Sequence, residues 1–277
     1  MKTSAFISSP FVKTLVYANI FIAFCALAQV LFTHHLFAIP FNFANNSYLL
    51  FVFLSTYLQY NVQRGYMINA NNANSERAQW VLKHKRIMMY SIIGCLLIVL
   101  FLCNNLSWLS IGIMIGAEVV STLYYLPPYN FRKHGYIKPF LISSVWTISC
   151  CLVPLIENHL LTAQSIWFLV SQFCFISVLC LLFDIKDVEQ DYMTGVNTYA
   201  NKFGIKITKV ICVCSVIIAF ACFYIFQHDI NSIIASVILR SLVILTILLT
   251  NEKKHSFYYY LWVDGLMIIQ TMLFFVF

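Results

Sequence analysis

Charge is scarce in this chain of 277 residues. Asp, Glu, Lys and Arg together make up 10%, against 61% hydrophobic residues and a mean hydropathy of +0.82. Soluble chains carry about a quarter charged residues, so a soluble domain is excluded and a membrane protein is expected. Paired cysteine motifs are also missing. The ten cysteines include no C-x-x-C pair, and most lie inside apolar runs (Cys25, Cys95, Cys174, Cys180, Cys212 and Cys214). That excludes a zinc or disulfide framework and leaves them as small apolar packing residues. Residues 1–10 lack the short apolar core and small-residue cleavage site of a secretory signal. The formal charge of +7 is too unevenly placed to indicate nucleic-acid binding, and topology accounts for it.

Apolar runs fall at 14–38, 47–62, 87–103, 106–126, 139–156, 165–183, 206–226, 230–249 and 256–277, which predicts nine spans. The basic residues set their orientation. Lys2 and Lys13 precede the first run. Arg64, Arg77, Lys83, Lys85 and Arg86 follow the second. Arg132, Lys133 and Lys138 follow the fourth; Lys186, Lys202, Lys206 and Lys209 the sixth; Lys253 and Lys254 the eighth. Sixteen of the seventeen thus share one side, and the positive-inside rule makes that side cytoplasmic. The N-terminus is expected inside and the C-terminus outside, in an integral multi-pass protein of a bacterial inner membrane. The loops after runs two and six are both long and polar and lie four spans apart. Two four-helix units plus one extra helix explain this spacing and would bring both loops over one central cavity.

The most distinctive stretch follows run six: Phe183-Asp184-Ile185-Lys186-Asp187-Val188-Glu189-Gln190-Asp191. If the helix continues, Asp184, Asp187 and Asp191 at i, i+3 and i+7 share one face. At a membrane helix end such a face is a patch of hard oxygen ligands suited to Mg²⁺ held together with a substrate's phosphates. The alternative is a helix running on into a solvated charged loop.

The run Asp184-x-x-Asp187-x-x-x-Asp191-x-x-x-Gly195, followed by Asn197-Thr198-Tyr199-Ala200 and Phe203-Gly204, resembles the second aspartate-rich motif of the UbiA superfamily of intramembrane prenyltransferases. The resemblance extends over most of the chain in helix number and loop positions. It implies an all-α bundle of about nine transmembrane helices in a single domain, 1–277. It further implies transfer of a polyprenyl group from an isoprenoid diphosphate to a lipophilic, membrane-embedded acceptor, with Mg²⁺ as cofactor. On this basis Asp187 and Asp191 are the expected catalytic residues, and Asp184, Asp187 and Asp191 the metal ligands. Asn61, Arg64, Arg77 and Lys138 are the expected substrate-binding residues, with the lipid bilayer as surroundings and no protein or nucleic-acid partner.

The family's first motif, N-D-x-x-D-x-x-x-D, falls on Asn61, Val62, Gly65 and Asn69, so only the Asn survives. Ionising an allylic diphosphate requires neutralisation of charge developing on the leaving group. Two readings remain. Arg64, Arg77 and Lys83 replace the lost metal ligands with direct phosphate contacts, for which guanidinium forks are well shaped; or the chain is a non-catalytic isoprenoid-lipid binder or carrier that kept the fold. For the basic residues, including Lys85 and Arg86, topology alone is the competing explanation. Tyr124-Tyr125-Leu126-Pro127-Pro128 with Arg132, Lys133 and Lys138 resembles the family's Tyr-x-x-Pro turn and its following basic residues.

Three charges fall inside spans: Glu118, Arg240 and Asp264. Such residues are costly in hydrocarbon and face protein or a water-filled cavity. Arg240 and Asp264 lie about twelve residues either side of the turn between runs eight and nine, or about 18 Å along each helix. This predicts an ion pair, or else a pair lining a cavity. Glu118 is open to two readings, a protonated carboxyl or a contact for a polar acceptor head group. The aromatics Phe257-Tyr258-Tyr259-Tyr260 and Trp262 are expected mostly facing lipid or at its interface, with lining of an isoprenoid tunnel or π-face stabilisation of an allylic cation as the alternative for some aromatics.

Overall fold

The computed structural model describes residues 9–71, 75–126 and 135–277, and these contain helices and no strand. Arg132, Lys133 and Asn72 to Asn74 lie outside the described residues, as does the side chain of Asn69. In chain order the helices are α1 (Pro10–Tyr17), α2 (Ile20–Leu36), α3 (Phe43–Asn71), α4 (Glu76–Lys83), α5 (Lys85–Leu102), α6 (Trp108–Tyr125) and α7 (Lys138–Glu157, with a π-helical turn at Ile148–Leu152). They continue with α8 (Ser165–Lys186), α9 (Val188–Met193), α10 (Tyr199–Phe203), α11 (Ile205–Phe226), α12 (Ile230–Leu249) and α13 (Tyr258–Val276, opening with a π-helical turn at Tyr258–Val263).

Seven of these helices, α5–α8 and α11–α13, are long and apolar enough to cross a membrane. The pair α1–α2, bent by 64°, makes an eighth. The expected second span lies within α3, which is not among them: its 29 residues reach about 43 Å, but Asn45, Asn46, Gln59, Asn61 and Gln63 dilute its apolar character. Polar residues therefore sit where a uniformly apolar span was expected, and part of that helix serves the interior rather than the lipid.

Helices α8 and α11 form the most extensive pairing, and α7 packs on the other flank of α8. With lipid tails as apolar as leucine, such helices associate through close packing and hydrogen bonds rather than by escaping water. Small buried residues permit the approach: Cys212 and Ala219 of α11 are fully buried, and Ser171 Oγ of α8 donates to the Ala219 carbonyl at 2.7 Å. The same Ser171 Oγ accepts a bond from Arg240 of α12 at 3.1 Å. All ten cysteines are free thiols.

Arg240 and Asp264 are not partners. The Arg240 guanidinium is held by Ser171 and lies over the Phe175 ring, 5.3 Å from its centroid, whereas Asp264 turns toward a cavity on the other side of α13. Their depths differ too: Arg240 stands nine residues before the end of α12, about 14 Å along it, and Asp264 six residues into α13, about 9 Å.

Candidate functional site

The C-terminal half of α3 with α4, and the junction of α8 with α9, line one cavity of about 940 Å³ near one end of the bundle. Arg64 and Arg77 come from the first region, Lys186 and Asp187 from the second, and Lys138 and Asp264 from the starts of α7 and α13. With Lys254, five cations line the cavity, and Glu76, Asp187, Glu252 and Asp264 are the carboxylates among them.

Arg77 is set by α4, a short helix whose Ser75 side chain caps the Ala78 N–H at 3.1 Å. Its guanidinium donates to Asn19 Oδ1 (2.5 Å) and the Val16 carbonyl (3.2 Å) and lies 5.0 Å from the Tyr260 ring centroid. Lys186 Nζ approaches the same ring at 5.4 Å. Tyr260 therefore holds two cations against its π system at the wall of the cavity. Phe257 and Tyr259 of the same aromatic run are buried, because the π-helical turn directs it into the protein.

Asn61 is almost fully buried and is not part of the cavity lining. It accepts from Asn19 Nδ2 at 2.9 Å and donates to the Ala18 and Tyr57 carbonyls at 3.0 and 2.8 Å. Asn19 sits in the left-handed region (φ 59°) at the α1–α2 bend. The surviving Asn of the degenerate first motif thus ties that bend to α3, and through Asn19 it orients Arg77. Lys83 is exposed and does not line the cavity.

The three aspartates do not share one helix face, which corrects the expected i, i+3, i+7 geometry. Helix α8 ends at Lys186; Asp187 is its C-cap (φ −94°, ψ 6°), and α9 starts afresh at Val188. Asp184 is fully buried and accepts from Lys138 Nζ at 2.6 Å. Asp187 lines the cavity and pairs with Lys186. Asp191 is nearly buried and is not part of the cavity lining. Among the described residues no three His, Cys, Asp or Glu side chains converge to hold a metal ion. The donor set that does face the cavity, Asp187 with room for phosphate oxygens beside it, still fits Mg²⁺, which commonly takes one or two protein carboxylates plus substrate phosphates. Gly195 and Gly204 of the motif both adopt positive φ (71° and 86°), where a side chain is strained; they turn the chain out of α9 and into α11.

A second cavity of about 190 Å³ adjoins the first and shares Tyr60, Gln63, Tyr124, Ile142 and Trp146 with it. Glu118 of α6 lines this smaller space together with Gln59 and Ser121. Sequence reasoning missed Tyr260; for Asp264 its first reading, a pair with Arg240, fails, and its second, a place lining a cavity, holds. The depth of Asp264 within an apolar run was the available signal.

No protein-family model matches the chain, and no curated protein matches it in sequence. Two solved structures resemble it along nearly their whole length. Digeranylgeranylglyceryl phosphate synthase, studied in membranes, superposes with a TM-score of 0.61 at 16% identity, covering 96% of this chain and 97% of that one. A UbiA homologue from Archaeoglobus fulgidus superposes with a TM-score of 0.65 at 14% identity, covering 95% and 98%. This chain is an all-helical, multi-pass membrane protein with the fold of the UbiA superfamily.

Proposed function

We propose that the protein transfers a polyprenyl group from an isoprenoid diphosphate to a lipophilic acceptor. The observation that carries this reading is the cation-lined cavity at the end of an apolar bundle, where Arg64, Arg77, Lys138 and Lys186 meet. A diphosphate is the ligand such a ring of cations attracts, and membrane spans on all sides suit its hydrocarbon tail. Relatives in fold include digeranylgeranylglyceryl phosphate synthase, which supports the same class of reaction.

Arg77 and Arg64 bind the diphosphate through planar two-donor forks, and Lys186 adds a point charge held in place by Tyr260. Asp187 is the residue we assign to Mg²⁺, with Asp191 in support from the start of α9. Asp184 acts indirectly: its bond to Lys138 holds that lysine at the cavity wall. Bound Mg²⁺ would neutralise negative charge building on the departing diphosphate. Asn61 positions Arg77 through Asn19 rather than touching substrate. The cytoplasmic side is assigned to the cavity end, because the basic residues cluster there.

One observation favours a second reading, a non-catalytic isoprenoid binder: both Asp184 and Asp187 already have lysine partners, and the first motif has lost its carboxylates. Purified protein incubated with labelled geranylgeranyl diphosphate separates the two. Mg²⁺-dependent binding with diphosphate release is expected for the transferase. Binding without release, for every acceptor tried, would establish the binder, and no binding at all would overturn both.

A further inference from the structure

Asp264 is a carboxylate of the large cavity that stands inside a membrane span. It lies in the seventh position of α13, about 9 Å along the span, where an ionisable group is costly in hydrocarbon and is kept for a reason. Among the described residues it makes no ion pair and no side-chain hydrogen bond, in contrast to Glu76 and Asp187 in the same lining. Its backbone N–H donates to the Tyr259 carbonyl at 3.1 Å, the i to i−5 bond of the π-helical turn; such turns recur at functional sites because they re-aim a side chain. The titratable groups within electrostatic reach are Arg77 and Lys186, together with Tyr60, Cys25 and Cys180.

We propose that Asp264 is the group that binds the acceptor's hydroxyl and takes its proton during transfer, an inference that rests on the prenyltransferase reading. A carboxylate repels the diphosphate, so its ligand is the electropositive end of the other substrate. Arg77 and Lys186 already place two cations beside it, which disfavours an ammonium and favours a neutral O–H donor. Met267 and Ile22 in the same wall offer apolar surface to the acceptor's chain. In the step, the donor's C1–O bond breaks and its electron pair leaves with the diphosphate. A lone pair of the acceptor oxygen forms the new C–O ether bond to C1. The O–H electron pair stays on that oxygen while the proton moves to the Asp264 carboxylate, and from there to cavity water.

The test measures binding of dodecanol, monoolein and nonylphenol to detergent-solubilised protein, each against its O-methylated counterpart, with geranylgeranyl diphosphate binding recorded in parallel. In the native protein at least one hydroxyl compound should bind about tenfold tighter than its methyl ether. Asp264→Asn should abolish that preference for the hydroxyl compound while leaving geranylgeranyl diphosphate affinity within about twofold, and Asp264→Glu should restore part of it. A hydroxyl preference absent from the native protein, or undiminished in Asp264→Asn and in Asp264→Ala, overturns the assignment. Failure of the native protein to bind geranylgeranyl diphosphate instead overturns the transfer reading, and the two failures are read in separate channels.

Discussion

Lys138 at the first turn of α7 and Asp184 near the last turn of α8 form an ion pair of 2.6 Å, with the carboxylate wholly buried and the lysine at the cavity wall. The pair fastens together two spans that flank the cavity and neutralises one aspartate of the motif from within the protein. An aspartate expected to hold a metal is thereby a partner for a lysine.

Breaking this pair from one side should be expensive. Lys138→Met leaves a buried carboxylate alone and should cost about 3–5 kcal/mol. Lys138→Met combined with Asp184→Leu should cost less than the sum of the single changes. Thermal unfolding in detergent, arranged as a double-mutant cycle, reads the difference; additive losses would show that the two side chains do not depend on each other.

Asp187 should govern the Mg²⁺ dependence of donor binding. Asp187→Ala is expected to weaken Mg²⁺-supported binding of geranylgeranyl diphosphate at least tenfold while leaving the metal-free binding little changed. Asp191→Ala should act in the same direction. Titrations with and without chelator check this, and equal Mg²⁺ dependence in all variants would remove the metal from these residues.

The arginines should not be replaceable by lysine. Arg64→Ala should reduce donor affinity about tenfold, and Arg64→Lys should recover only part of it, since an ammonium lacks the planar fork. Arg77→Lys should behave likewise and lose the bonds to Asn19 and Val16 as well. Full recovery with lysine would mean that only charge matters at these positions.

Glu76 accepts from Lys13 Nζ at 2.6 Å and from Tyr17 Oη at 3.1 Å, tying α4 to α1. The bond from Lys13, then that from Tyr17, holds its carboxyl below the ordinary glutamate value. A depressed folded-state value contributes stability that is present above the unfolded value of about 4.3 and is lost as pH falls through the lower folded value. The Glu76 carboxylate is 62% exposed, so solvent screening keeps the effect small. Comparing unfolding midpoints at pH 6 and about pH 3 should show a slightly flatter profile for Glu76→Gln; an unchanged slope would deny the linkage.

Orientation can be read by labelling. With single cysteines in an otherwise cysteine-free background, Ala163→Cys should react with an impermeant reagent on intact cells and Gln79→Cys should react only after permeabilisation. The reverse pattern would invert the assigned topology.

The comparison of sequence with structure turns on where the deciding forces act. Apolar runs longer than a bilayer is thick, and the confinement of basic residues to alternate loops, are properties of the chain itself, because lipid imposes the same demand on every span. They determined the all-helical class, the approximate positions of the spans and the meeting of the two polar loops over one cavity. The aspartate motif announced where that cavity lies. What lines the cavity depended on helix rotation and on one helix break, and neither has a period that can be read in advance. The end of α8 at Lys186 separated Asp184 from Asp187 and Asp191. Lys138, from a different span, claimed Asp184. Asn61 bonded Asn19 and stayed out of the cavity lining. Arg240 met Ser171, and Asp264 met the cavity. The sequence by itself determined the helical class and the approximate places of the spans, which follow from each segment's own transfer from water to lipid. Only the tertiary structure decided partners, because a buried charge settles on whichever neighbour the packed helices bring within reach.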